Sequence, residues 1–295
     1  MKTSLFSTSY PPRFTLIKSM VCGLALLASG QAMAVTITSA NNGDWNLGAT
    51  WTGSTVPPGS ADASIGHIIS TPPGTGPFTI NSVLFTASGM LNITSGNTLT
   101  VTTTLNAANG SVSLNSGGTL TVNGNVTVGT GGTINTTNGT LNIGGALDNT
   151  AGTFTPVGTL GLTDADHTIT LAAGKTFGAM NASSLTGGTG AGKTITFIGA
   201  FDNTIASLAL PATAAKEIKF VVPASQKLTI SAMTGNTMTC TGGTVTGTAA
   251  APVLNAGTGN TTFTCTTGAG GGGGTVSAPI FDLKPAQVFA TEVEQ

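Results

Sequence analysis

Charge is the first thing this sequence lacks. Only 6% of residues are charged and 5% aromatic, and beyond residue 34 there are six Lys, ten Asp plus Glu, no Arg and no Tyr. With a formal balance of −4 over that stretch, no basic patch is on offer to nucleic acid. Polysaccharide lyases and hydrolases need paired carboxylates or a basic proton acceptor along one groove, usually with aromatic platforms for sugars. The few acids here are scattered, so composition argues against an enzyme and gives no reason to expect a cofactor. Long apolar runs are also scarce: Met20 to Ala28 falls short of the ~20 residues that a membrane span needs. Disorder is not the answer either, since apolar residues still make up 39% of the chain, too many for an ordinary charged disordered segment.

What the sequence does have is repetition. From Gly89 to about Gly174, short Thr- and Leu-rich segments recur roughly every 21 residues, a period that signals a solenoid. Gly89, Gly110, Gly132 and Gly152 open the units. After each come apolar residues two apart, Leu91 and Ile93, Val112 and Leu114, then Ile134 and Phe154. A second set follows, pairing Leu99 with Val101, Leu120 with Val122, Leu141 with Ile143 and Leu160 with Leu162, and a third carries Leu105, Val126, Leu147 and Ile169. Period-2 alternation is a strand signal, and three short strands per unit predict one coil of a right-handed parallel β-helix, an all-β fold. Stacked at ~4.8 Å, the coils align equivalent residues in columns. Leu99, Leu120, Leu141 and Leu160 then face inward, and Thr98, Thr119, Thr140 and Thr159 outward. A second outward column runs Thr100, Thr121, Asn142, Gly161, so the two complete Thr ranks of an ice-binding face fail after two coils. Asn106, Asn109, Asn115, Asn123, Asn138 and Asn149 fall near turns, as corner residues.

The chain divides into a leader (1–34), an N-terminal cap with first coils (35–88), regular coils (89–174), an irregular β-rich continuation or cap (175–267), and a Gly-rich linker and tail (268–295). Lys2, Arg13 and Lys18 precede the apolar run, and Ala32-Met33-Ala34 forms a small-residue cleavage site, the pattern of a secretory signal with a mature chain from about Val35. Trp45 and Trp51 suit a structural cap over the open end of the solenoid. Pro57, Pro58, Pro72 and Pro73 interrupt strand pairing and predict a looser region there. Beyond Lys175 the repeat loses register, though strand-like pieces persist at 195–198, 218–222 and 228–230. Cys240 and Cys265 sit in two similar Gly-Asn-Thr pieces; in neighbouring coils they would lie within reach of a disulfide, which an exported protein can form.

Gly43-Asp44-Trp45, Thr50-Trp51-Thr52-Gly53, Pro57-Pro58-Gly59 and Asp62-Ala63-Ser64-Ile65, followed by Thr/Asn/Gly-rich coils, resemble the start of bacterial secreted β-helical surface proteins, the autotransporter-passenger and haemagglutinin-like adhesins. The resemblance covers the leader, the Trp-rich segment and the repeats to about residue 175. It implies a non-catalytic, cell-surface or extracellular structural role, with host or surface glycans, proteins or copies of itself as partners. No alternating C-terminal strands suited to an outer-membrane barrel follow, which sets this chain apart from self-anchored autotransporters.

Two motifs point elsewhere. Gly187-Gly188-Thr189-Gly190-Ala191-Gly192-Lys193-Thr194 satisfies the phosphate-loop expression, but the Ile195-Thr196-Phe197-Ile198 that follows reads as a strand where a helix would be needed. Asp164-Ala165-Asp166-His167 is the sole cluster of potential metal ligands. Asp164 and Asp166 are weak calcium candidates, short of the six to eight oxygens that ion takes. The alternatives left open are a carbohydrate-active or carbohydrate-binding β-helix, a self-assembling filament subunit and an ice-binding solenoid.

Overall fold

The computed structural model describes residues 34–155, 158–170, 176–187, 190–199 and 201–268. The expected leader through Met33 and the tail from Ala269 lie outside the described residues. The fold is all-β, a solenoid of about eight turns spaced ~22 residues apart. Its only helical pieces among the described residues are two 3₁₀ turns, Gly48–Thr50 and Thr52–Ser54. Strands stack into three sheets of eleven, six and eleven members, here called the first, second and third faces.

One coil shows how the sequence builds the rest. Ser111–Leu114 lies on the second face, Thr119–Val122 on the third and Val126–Thr127 on the first. The next coil repeats them as Thr133–Asn135, Thr140–Ile143 and Leu147–Asp148, each parallel to its predecessor. Alternation decides which way each side chain points: Thr98–Val101 and Thr119–Val122 bury every second residue. Leu99, Leu120, Leu141 and Leu160 are in register along the axis, as are Val101, Val122, Ile143 and Leu162. All eight are buried. At about 1.5–3 kcal/mol per buried aliphatic side chain, these lines are the main favourable term of the regular coils.

The glycines that open the units are required by close approach between coils. A Cβ on Gly132 would collide with the carbonyl oxygen of Ala107 in the coil beneath. The corners carry a second kind of fastening, in which a side-chain oxygen accepts a backbone N–H from the following coil. Ala146 donates to Asn125 Oδ1 at 2.9 Å and Lys227 to Asp202 Oδ1 at 2.9 Å.

The strands of the region with four prolines pair as those of the later coils do. Pro57-Pro58 and Pro72-Pro73 lie outside the strands, and Asp62–Ile65, Ile68–Thr71 and Phe78–Ile80 pair in parallel with the coils above. The prolines occupy the connections, where no ladder N–H is needed, and these connections are longer than the corners of the regular coils. Asn149 is a correction to the expected corners. It follows a corner, but its side chain points inward in line with Ala107 and Val128, is fully buried, and leaves both amide atoms without a hydrogen-bond partner.

Register is lost beyond residue 175 because the coil changes shape. Among the described residues the second face ends at Thr153–Thr155, while third-face strands lengthen to six residues at Thr176–Asn181 and seven at Asn203–Ala209. Parallel stacking nevertheless continues through Lys193–Ile198, Glu217–Val222 and Lys227–Ile230. The chain then reverses. Thr237–Thr241 and Thr244–Thr248 form the outermost layer, and Ala251–Asn255 and Thr261–Gly268 return beneath them, antiparallel to strands on both sides.

Two outcomes follow for equilibrium denaturation. Gly132→Ala should destabilise the solenoid by about 1–3 kcal/mol, the usual range for overpacking, because the backbone beneath must shift. Asn149→Val should stabilise it by about 1–3 kcal/mol, since it removes an unsatisfied buried amide from a column of apolar residues.

Candidate functional site

Each feature singled out in the sequence has a definite place. Trp45 and Trp51 are both buried, with ring centroids 5.1 Å apart in an edge-on pair. Trp51 Nε1 donates to the Trp45 carbonyl at 2.8 Å, and the Trp45 ring lies 6.2 Å from that of Phe78, on the first third-face strand. The segment carrying them folds back on the first coil, where the N–H groups of Ala40 and Asn41 both donate to the Thr50 carbonyl. Neither indole presents a face to solvent on which a sugar could stack.

His67 is half-buried, its Nδ1 3.0 Å from Ser39 Oγ. That oxygen also accepts the N–H of Gly66 at 2.9 Å. Ser39 is itself buried, which makes the pair a clasp between neighbouring coils and keeps the hydroxyl from substrate.

The Asp-rich corner is occupied by the protein's own backbone. Asp164 accepts the N–H and hydroxyl of Thr186, and Asp166 accepts the N–H of Thr194 at 2.8 Å. His167 is buried with both ring nitrogens near carbonyl oxygens, Nδ1 3.0 Å from Gly145 and Nε2 2.9 Å from Thr163. Among the described residues no three His, Cys, Asp or Glu side chains come together as a metal site. The side-chain and backbone hydrogen bonds from Thr186, in that order, hold the Asp164 carboxyl below the usual aspartate range, with smaller help from Lys193 and Lys216.

Glu217 carries no signal in the sequence. Its neighbours Ile218, Phe220 and Val222 are the buried set of that strand, so Glu217 belongs to the outer face by alternation. It is buried because the Gly-rich loop ending at Gly192 folds over it. Gly190 N–H donates to Glu217 Oε2 at 2.9 Å, and Lys219 Nζ lies 3.3 Å from Oε1. The stretch that satisfies the phosphate-loop expression thus directs an amide at an internal carboxylate and leads into strand Lys193–Ile198. The Gly190 N–H is the largest influence depressing the Glu217 carboxyl below its ordinary value.

Cys240 and Cys265 form a disulfide with Cα atoms 4.0 Å apart. The expected arrangement in successive parallel coils is corrected, since the two cysteines face one another across antiparallel strands.

The lateral faces remain. On the third face, Thr98, Thr119, Thr140 and Thr159 line up outward in one column, beside Thr79, Thr100, Thr121 and Asn142 in another. The second column is one coil longer than the sequence suggested, because Thr79 pairs with Thr100, and Asn142 Nδ2 donates to Thr121 Oγ1 at 3.2 Å. On the second face the outward line is Ser70, Asn92, Ser113, Asn135 and Thr155. These are uncharged hydroxyl- and amide-bearing surfaces. No protein-family model, curated protein or solved structure matches this chain.

The bonds around Glu217 make stability depend on pH. Its depressed carboxyl contributes stability that is fully present above the unfolded-state value near pH 4.3 and is lost as pH falls through the lower folded value. Glu217→Gln should therefore be less stable than the parent at neutral pH. The gap should close on acidification below about pH 4 in parallel denaturation series.

Proposed function

We propose that this chain is an exported, non-catalytic β-solenoid that serves as a cell-surface or extracellular scaffold of adhesin type. One observation carries the reading: every acid among the described residues except Asp44 accepts a hydrogen bond from the solenoid itself, leaving broad lateral faces of Thr, Ser and Asn without a charged groove. A solenoid presents long lateral surfaces on which recognition can be distributed over many weak polar contacts. The resemblance of the Trp-rich segment to autotransporter-passenger and haemagglutinin-like adhesins supports the same role. So do the basic, apolar and small-residue segments of the leader, and the disulfide fits an oxidising address outside the cytoplasm.

Labelling of intact cells with a membrane-impermeant reagent should detect the chain at the surface or in the medium. The purified chain on a glycan array and against surface proteins should bind at least one class and release no fragments from polysaccharides. Retention in the cytoplasm would overturn the export reading, while cleavage of a polysaccharide would replace the scaffold with a carbohydrate-active β-helix.

A further inference from the structure

The tripeptide Asn-x-Ser/Thr, with x other than Pro, is the acceptor sequence for N-linked sugars, and it sets a hydroxyl within reach of the Asn carboxamide. Seven Asn residues stand in it: Asn92, Asn109, Asn125, Asn135, Asn138, Asn181 and Asn260. In a chain so rich in Asn and Thr that number alone means little, and it is the structure that separates them. Asn125 and Asn260 are fasteners, accepting the N–H groups of Ala146 and Ala224. Asn92 Nδ2 lies 3.4 Å from Ser70 Oγ, and the hydroxyl of Thr94 donates to the carbonyl of Thr71 instead. Asn181 is half-buried and takes the N–H of Ser183 without its hydroxyl. Asn109 and Asn138 are exposed, but among the described residues no hydroxyl is bonded to either carboxamide.

Asn135 is different. It is exposed at the end of strand Thr133–Asn135, on the outward line of the second face, between the short side chains of Ser113 and Thr155. Its Oδ1 accepts the N–H of Thr137 at 2.9 Å and the Thr137 hydroxyl at 2.5 Å, while Nδ2 has no partner among the described residues. An amide nitrogen is a poor nucleophile because its lone pair is shared with the oxygen. Two donors on that oxygen favour the form in which Nδ2 has given up a proton, and only at Asn135 does the third residue of the tripeptide supply both. The turn itself has no need of the nitrogen. Asp148 accepts the N–H and hydroxyl of Thr150 in the same way, with a carboxylate. Nδ2 of Asn135 is thus an exposed group that the fold leaves idle.

We propose that Asn135 is the acceptor for an N-linked sugar delivered from a glycosyl diphosphate donor. Nδ2 forms a bond to the anomeric carbon, the bond from that carbon to the diphosphate oxygen breaks and its electron pair leaves with the diphosphate, and Nδ2 loses one proton. Nothing is oxidised or reduced. The sugar stands out from the second face, where the outward line Ser70, Asn92, Ser113, Asn135, Thr155 carries no charge, and covers part of it with a bulky, hydrated group.

The test is mass spectrometry of the chain recovered from the cells that make it, with fragmentation of the peptides that span residues 133–138. A glycan on Asn135 is expected. Asn135→Asp keeps the turn, as Asp148 shows, and should lose the glycan completely. Thr137→Ala should lose it too, Thr137→Ser should retain it through its hydroxyl, and Asn138→Gln should leave it in place. Denaturation midpoints for Asn135→Asp and Thr137→Ser that match the unglycosylated parent separate loss of the acceptor from loss of the fold. A bare Asn135 in the parent chain would overturn the proposal. So would a glycan carried by Asn109 or Asn138 in its stead, or one on Asn135 that survives Thr137→Ala.

Discussion

Coil-on-coil stacking at one strand spacing is the constraint from which the rest of this molecule follows. Each coil contributes a few short strands that could not persist alone, and each gains its backbone partners and its apolar neighbours from the coils on either side. Leu120 is held by Leu99 and Leu141, and the same arrangement recurs on every face. Because the backbones approach so closely at the corners, side-chain volume has to disappear there, which is why Gly132 stands over the Ala107 carbonyl. The absence of charge between Gly89 and Leu147 has the same origin, for a column of identical charges one strand spacing apart would repel along its whole length.

Where charges do occur, they act as fasteners. Asp164, Asp166, Asp202 and Glu217 each accept a backbone N–H from another coil or from the loop that covers them, and they cluster where the regular coil gives way to longer strands. Two of the three ion pairs among them, Lys193 with Asp164 and Lys227 with Asp202, involve side chains that are a third to a half exposed, so they add little beside those hydrogen bonds. Chemistry-bearing residues are thus concentrated at the change in coil shape and employed in holding it together.

How far the fold could be read depended on how strictly position determined environment. In the regular coils, alternation and period together place the strand residues, and the columns read from Leu99, Val101 and Thr98 are those observed, while Asn149 beside a corner escaped them. The period fails as a guide where strand length changes, because a seven-residue strand such as Asn203–Ala209 shifts everything after it. It also says nothing about direction, so the similar pieces around Cys240 and Cys265 suggested parallel neighbours where the chain runs antiparallel. Burial by a loop is equally hidden: Glu217 belongs to the solvent face by alternation and is covered only because a distant Gly-rich segment crosses it. The Trp residues were legible in kind, as large rings near an open end, though not in their hydrogen bond to one another.

The reversal of the last strands bears on how such a molecule can change its length. A parallel coil offers the next coil a template of its own shape, whereas the last strands alternate in direction, Ala251–Asn255 and Thr261–Gly268 against the coils and Thr244–Thr248 and Thr237–Thr241 with them, so that no repeat of the regular shape stands at that end to copy. Duplication of a unit between Gly89 and Gly152 meets matching neighbours above and below and leaves both ends intact. A lineage built on this plan would lengthen or shorten from its middle, with its two termini inherited as fixed parts.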